Sequence, residues 1–405
     1  MNDFSKSVDR RAFSSEKWNR ASIAGICGNP DALPFWVADM DLRVSSDISA
    51  AMHREADLGV YGYRDSGALK GLFINFMRER HDTVLDEDRV SFAQGMLHAI
   101  ALALNLFTKE GDRVLLPYPS YHPFIDMITK NNRIIAPYHL KRTASGFALD
   151  ISAFAKASEG ASCILFCSPH NPTGIVFSED ELRAVLTLAR DRGQVVLCDE
   201  IHADLAHPGH RHIPLIKANE DVGARVVGFA AASKSFNIAG EHCAFALFSD
   251  SGMRECFERA QQRLYLTQPG YSVAVMAEQA YGKGLEYNRA LCQALKDKLD
   301  RLEDFMTSRT PELRLCRPSA SFIAFIDCSA IMDRVREDRK ARPSFYGENY
   351  MLSHFFGWHG GICMNDGTWF GGDDYEAYVR FNFGCGDDLL EEGLKGLEKA
   401  VAAVR

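Results

Sequence analysis

The chain has no run of about 18 or more apolar residues, and its first segment, MNDFSKSVDRR, is polar and charged. Membrane spanning and secretion are therefore not expected, and a cytoplasmic protein is. There is no CxxC spacing among the 11 cysteines, an odd number scattered through apolar runs such as Cys163 to Cys167. This excludes a disulfide framework and points to reduced core thiols. No period of 20 to 50 residues recurs, and no stretch has the Pro, Gly or Ser bias of a long linker. A surplus of positive charge is also missing. The formal net charge is −8, so neither nucleic acid nor an anionic membrane surface is an expected partner. A small-molecule ligand is.

What is present is a chain of 405 residues with 46% hydrophobic content, more than one core usually serves. Two domains are expected. Between about residues 89 and 250, short β-rich runs alternate with longer helical ones, the pattern of parallel βαβ units. Arg113 to Pro117, Cys163 to Cys167, Val195 to Cys198 and Arg225 to Phe229 are nearly continuous apolar segments, as strands covered by helices on both faces should be. Ser178 to Glu181 is an S-x-x-E capping box that opens a helix, with Gly193 at the expected stop. From about residue 275 the pattern is mainly helical and closes with the strand-like SFIAFIDC and AYVRFNFG. The expected division is an arm at 1–45, a large domain at 46–275 and a smaller α/β domain at 276–405.

Ligands of open parallel sheets bind outside the carboxyl ends of the strands, which makes each strand end worth reading. After Phe92 a helix opens just past Gly95, and its free backbone N–H groups can hold a phosphate. After Pro117 comes Tyr118-Pro119-Ser120-Tyr121, which leaves the Tyr121 ring at the strand mouth. The next strands deliver Asn171 within Ser168-Pro169-His170-Asn171-Pro172-Thr173-Gly174, then Asp199-Glu200-Ile201-His202, and then Ser233-Lys234-Ser235.

Each has a plainer meaning alone. Asn-Pro-Thr-Gly makes a good turn, Asp199 can cap a helix, Lys234 can snorkel at the surface, Tyr121 can be a core ring, and Arg380 in VRFNFG can sit on an edge strand. Their occurrence together, in order, at successive strand ends changes the odds. A lysine, an acid, an amide, a stacking ring and a phosphate site are the parts that hold pyridoxal phosphate. A lysine amine forms a Schiff base with its aldehyde and then serves as proton shuttle at the substrate's Cα. A carboxylate beside the pyridine nitrogen favours the protonated ring, and a guanidinium grips an amino acid's carboxylate with two prongs. Lys234, Asp199 and Arg380 suit these three roles, and Asn171 and His202 can supply donors to the phenolic oxygen. His207, His210 and His212 with Asp204 resemble a metal site by composition, but Pro208 and Gly209 mark a solvated turn. No metal is expected.

On VDRRAFSSEKW, LPFWVADMDL, GVYGY, PSYHPF, SPHNPTGIVFSEDEL, CDEIHADL, ASKSFNIAG, MNDGTWFG and YVRFNFGC, the chain resembles the fold-type-I pyridoxal-phosphate enzymes of aminotransferase class I/II, in their MalY/PatB cystathionine β-lyase-like branch. The resemblance implies an α/β fold with a large, mostly parallel sheet. It makes Lys234 the Schiff-base lysine, Asp199 the partner of the pyridine nitrogen and Tyr121 the stacking ring, these three forming the catalytic set. Asn171 and His202 then face the phenolic oxygen, Arg380 and Asn171 bind substrate, and Ser233 joins Gly95, Met96 and Leu97 at the phosphate. It also implies a homodimer in which Tyr63 reaches across to the phosphate. The implied activity is α,β-elimination from an L-cysteine S-conjugate or cystathionine-like amino acid, giving thiol, pyruvate and ammonia. Transamination, a decarboxylative or oxidative variant, and a regulator that merely binds the cofactor are the other outcomes this scaffold allows. The chain departs from the pattern at four places: His242 stands where ordinary aminotransferases have an arginine eight positions after the lysine, Glu241 stands where an apolar residue is usual, SASFIAF replaces the more usual Thr-Tyr-Leu-type segment, and His122 takes an often aromatic place. Glu241 is accordingly a candidate for substrate recognition.

Overall fold

A computed structural model of the protein describes residues 3–405. Its strands, in chain order, are β1 (Leu33–Pro34), β2 (Val90–Ala93), β3 (Arg113–Tyr118), β4 (Ile134–His139), β5 (Lys141–Thr143), β6 (Gly146–Ala148), β7 (Cys163–Cys167), β8 (Val195–Asp199), β9 (Arg225–Ala230), β10 (Ala244–Phe248), β11 (Arg314–Cys316), β12 (Ile323–Asp327), β13 (Ile362–Cys363), β14 (Asn365–Asp366) and β15 (Tyr378–Asn382). Seven of them form one sheet in the order β2-β10-β9-β8-β7-β3-β4. Strands β9, β8, β7, β3 and β4 pair in parallel, whereas β10 runs antiparallel to both its neighbours. The four apolar runs expected in the middle of a sheet occupy four consecutive interior places.

Alternation along these strands feeds two cores. Val114, Leu116, Cys163, Leu165, Val195 and Leu197 face the helix Met96–Phe107 on one side. Leu115, Ile164, Phe166, Val196 and Cys198 face the helix Glu179–Asp191 on the other. Both faces being covered, every residue of β7 and β8 is buried, which is why these strands read as unbroken apolar runs. The helix Glu179–Asp191 opens with the expected capping box, and Gly193 follows its end at φ +65°, where a left-handed turn favours glycine.

A second sheet, β11-β12-β15-β14, is wholly antiparallel. It packs with the 25-residue helix Leu285–Arg309 and the last helix, Asp387–Ala402, in a further apolar cluster. Strand β15 therefore lies between two neighbours and is not an edge strand. The chain before residue 45 is tied to this part: β1 pairs with β13, Phe35 stacks on Phe381 with centroids 4.6 Å apart, and the Asn382 side-chain amide donates to the carbonyls of Val37 and Asp39. Among the described residues no helix is long and apolar enough to cross a membrane.

One expectation fails here. The segment around Pro208 and Gly209 is exposed, but His207 and His212 at its two ends are buried and do not belong to a solvated turn. His207 Nε2 lies 2.6 Å from the Ser321 carbonyl, and His212 Nε2 lies 3.0 Å from the Glu200 carboxylate. Both rings are structural pegs that fasten the segment at either side of its bulge. Asp204 is likewise committed, to His81 at 2.7 Å and to the Ser235 hydroxyl at 2.9 Å. All eleven thiols are free, and all but Cys256 are buried.

Candidate active site

The carboxyl ends of β7 and β8, the turn after β2 and the short helix Ala232–Ser235 after β9 converge on a cavity of about 290 Å³. Gly95, Met96, Leu97, Tyr121, Asn171, Asp199, His202, Ser233, Lys234 and Glu241 all line it. Sequence reasoning had singled out each of them. Ala38, His98, Cys167 and His242 line it too.

Lys234 is the central group. Its Nζ donates to the Ala38 carbonyl at 2.7 Å, and burial lowers its pKa because a desolvated ammonium is penalised. Opposite in charge, Asp199 ends β8 with nearly all its surface buried. The Ile201 N–H donates to it at 2.9 Å, yet burial still pushes its carboxyl up to about 7. A carboxylate so placed is short of a cation. His202 is held by Ser321, whose hydroxyl is 2.9 Å from Nδ1, which leaves Nε2 as the ring nitrogen free for the cavity. Burial holds its pKa down to about 3, so the ring is neutral. Tyr121 directly precedes the helix His122–Lys130 and sets its ring edge-on to Phe124; burial raises its phenol.

Gly95 precedes the helix Met96–Phe107 at φ +93°, and a Cβ there would meet the side chain of His242 at 3.3 Å. Glycine is the residue both constraints admit. The first helical hydrogen bond runs from the Ala99 N–H to the Gly95 carbonyl, so the N–H groups of Met96, Leu97 and His98 have no acceptor within the helix. Three free donors and a helix N-terminus make this end of the cavity a seat for an anion.

Arg380 stands one layer behind. It is 2% exposed, and its guanidinium donates to Asn171 Oδ1 at 3.1 Å, Asn365 Oδ1 at 2.8 Å and the Trp36 carbonyl at 2.7 Å. Its Nε is buried with no acceptor. Burial lowers its pKa to about 10, which leaves it charged at neutral pH. Trp36 and Asn365 were missed as site residues, although both lie in segments, PFWVADMD and MNDGTWFG, that carry the family resemblance. Tyr63 is not brought to the cavity of its own chain; it is fully exposed on the connection before the helix Ala68–His81. Glu241 accepts from the Ser272 hydroxyl at 2.9 Å.

Comparison with known proteins matches residues 39–395 to the family described as Aminotransferase class I and II. The chain belongs to that family. Within it, the protein is 30% identical over 405 residues to cystathionine beta-lyase PatB of Bacillus subtilis (strain 168), covering 99% of this chain and 100% of that one. It is 28% identical over 410 residues to protein MalY of Escherichia coli (strain K12), covering both in full. The crystal structure of cystalysin from Treponema denticola, which contains a pyridoxal 5′-phosphate cofactor, superposes with a TM-score of 0.88 at 25% identity and full coverage of both chains. A class I and II aminotransferase fold, with its large and mostly parallel sheet, is thus what this sequence adopts.

Proposed function

We propose that the protein is a pyridoxal-phosphate-dependent carbon–sulfur β-lyase that converts an L-cysteine S-conjugate or cystathionine-like amino acid into thiol, pyruvate and ammonia. The cofactor is pyridoxal 5′-phosphate. The observation that carries this reading is Lys234, whose desolvated amine lies in one cavity with a buried carboxyl short of a cation and with a helix N-terminus short of an anion. A protonated pyridine ring and a phosphate supply those two missing charges. The residues present therefore fit the group: Lys234 would hold it covalently, Asp199 its ring nitrogen, Tyr121 its ring face, Asn171 and His202 its phenolic oxygen, and Ser233 with the free Met96, Leu97 and His98 N–H groups its phosphate, the expected Gly95 N–H being taken by the Ala93 carbonyl at 2.9 Å.

When bound, pyridoxal phosphate supplies an aldehyde that condenses with amines and a ring that delocalises negative charge formed at the substrate's Cα. Arg380, with Asn171 beside it, grips the α-carboxylate; its unused Nε is a buried donor awaiting an acceptor. Lys234 would be the base that takes the proton from the substrate's Cα, a task that burial assists by favouring the neutral amine. The Cβ–S bond then breaks with its electron pair going to sulfur, which leaves as a thiolate stable near neutral pH. Overall, substrate and one water give thiol, pyruvate and ammonium.

Two copies of the chain are inferred to pair, with Tyr63 of each reaching the phosphate end of the other site. The exposure of Val60, Tyr61 and Tyr63 on one connection supports this. Its buried free thiols suit a reducing, cytoplasmic setting, and the division at about residues 45 and 275 suits the two separate sheets.

The purified holoprotein, given an S-alkyl cysteine with a good thiolate leaving group and no keto acid, is expected to release pyruvate, ammonia and thiol in equal amounts. Alanine is expected to be left unconsumed. A requirement for a keto-acid acceptor with every conjugate tried overturns elimination in favour of transamination.

A further inference from the structure

The cavity that holds Lys234 is small. At about 290 Å³ it lies at the low end of what ligand sites enclose, so pyridoxal phosphate with the amino and carboxyl ends of a cysteine fills it, and whatever the sulfur carries must extend elsewhere. A second cavity, of about 1150 Å³, offers the space. Ala239 and Glu241 line both cavities, which puts the passage between them on the connection from the helix Ala232–Ser235 to β10. Past this neck much of the wider wall is apolar, with Leu42, Val44, Ile48, Met52 and Met276.

Ala239 has only a methyl group to offer a ligand. Glu241 brings a half-buried carboxylate whose Oε2 accepts from the Ser272 hydroxyl at 2.9 Å, and among the described residues no lysine, arginine or histidine pairs with it. The nearest arginine of the arm is already committed, Arg10 being bonded to Asp39 at 2.9 Å and to Asp41 at 3.3 Å. A fixed anion left without a cation at the neck of a substrate passage favours a ligand that brings one and opposes a ligand that brings a second anion. We propose that Glu241 selects the leaving half of the substrate, a cysteine S-conjugate whose sulfur substituent carries a cationic nitrogen. This rests on the carbon–sulfur lyase reading above and names the class of conjugate it takes. Lys6, Arg43 and His53, exposed along the wider cavity, repel a cation carried past the neck. The nitrogen therefore belongs close to sulfur, on a short substituent.

Through Ser272, Glu241 also stands beside the first turn of the helix Tyr271–Lys283, where a carboxylate steadies a helix N-terminus. That role alone leaves the choice among conjugates unchanged. Glu241→Gln keeps an acceptor for the Ser272 hydroxyl and removes the charge, so it separates the two roles.

The test gives full-length holoprotein three conjugates of similar size, S-(2-aminoethyl)-, S-(2-hydroxyethyl)- and S-carboxymethyl-L-cysteine. Pyruvate release yields kcat/KM, and the absorbance change on mixing yields a dissociation constant that does not require the carbon–sulfur bond to break. Thiols differ as leaving groups, so the quantity read is the change in preference from one protein to another, in which that difference cancels. From wild type to Glu241→Gln, the preference for the aminoethyl over the hydroxyethyl conjugate is expected to fall about tenfold in both measurements, the size of one charged hydrogen bond. Glu241→Lys should move the preference from the aminoethyl to the carboxymethyl conjugate. An aminoethyl preference that is the same in wild type and Glu241→Gln overturns the proposal. So does a loss that falls equally on all three conjugates, the mark of a purely structural role. If no conjugate gives pyruvate but the binding preference and its loss appear as stated, elimination fails and Glu241 keeps its part; pyruvate from all three with no effect of Glu241 on their order is the opposite result.

Discussion

The two ends of the cavity are built differently. At the inner end, Asp199 closes the fully buried β8, Asn171 and His202 lie just past the ends of β7 and β8, and behind them Arg380 is gripped by three acceptors. At the outer end, the Gly95 turn, Glu241 and His242 sit on connections, and His242 is open to water. Burial keeps His202 neutral and leaves Arg380 charged, while it lifts the Asp199 carboxyl to about 7. The outer end works through backbone donors and solvated side chains, which tolerate substitution. Departures from the family pattern at Glu241 and His242 fall at this outer end.

Breaking the inner end should have the largest effect. Asp199→Ala, loaded with cofactor, is expected to lose roughly 10²–10³ in turnover, as sites do when a buried electrostatic partner is removed. Steady-state kinetics check this, and near-normal turnover would remove Asp199 from its role. Arg380→Lys keeps the charge and loses the fork, so KM for the amino acid should rise roughly 10- to 100-fold with the cofactor's absorbance intact. An unchanged KM would move the carboxylate grip elsewhere. The smallest effect is one of stability. In cofactor-free protein, Asp199 has its folded pKa near 7, above the unfolded value, so its penalty is present at high pH and is relieved as pH falls through 7. Asp199→Asn never pays that penalty. Its advantage over wild type in unfolding free energy should therefore shrink by roughly 1 kcal/mol between pH 8 and pH 6, measured by denaturant titration. An advantage independent of pH would show that the carboxyl does not take up its proton there.

The inner end was also the more legible in sequence, because a parallel strand covered on both faces announces itself as an unbroken apolar run and the residue that follows is then at the ligand's edge. Lys234, Asp199 and Asn171 were found this way, and the capping box at Ser178 and Glu181 fixed the helix between two of those strands. What escaped were partners chosen by tertiary packing. Nothing local in Trp36 or Asn365 says that the Arg380 guanidinium will close on them across 344 and 15 residues of sequence. His207 and His212 were misread for the same reason: Pro208 and Gly209 mark the bulge correctly, but the acceptors that draw the two rings inward, the Ser321 carbonyl and Glu200, lie outside the segment.

The hydrogen bond from Lys234 to the Ala38 carbonyl has a consequence for how the protein is made. Ala38 is held in place by residues near the other end of the sequence: β1 pairs with Ile362 and Cys363, Asn382 binds the carbonyls of Val37 and Asp39, and the Asp41 N–H donates to the Gly384 carbonyl. At about 5–20 residues per second, a ribosome finishes the seven-stranded sheet several seconds before it has synthesised residue 384. During that interval the nascent chain has its lysine and its phosphate turn but no fixed lid over them. The segment bearing Ala38 can settle only once residue 384 has been made, so the site closes well after the sheet has formed, around whatever cofactor it has by then admitted.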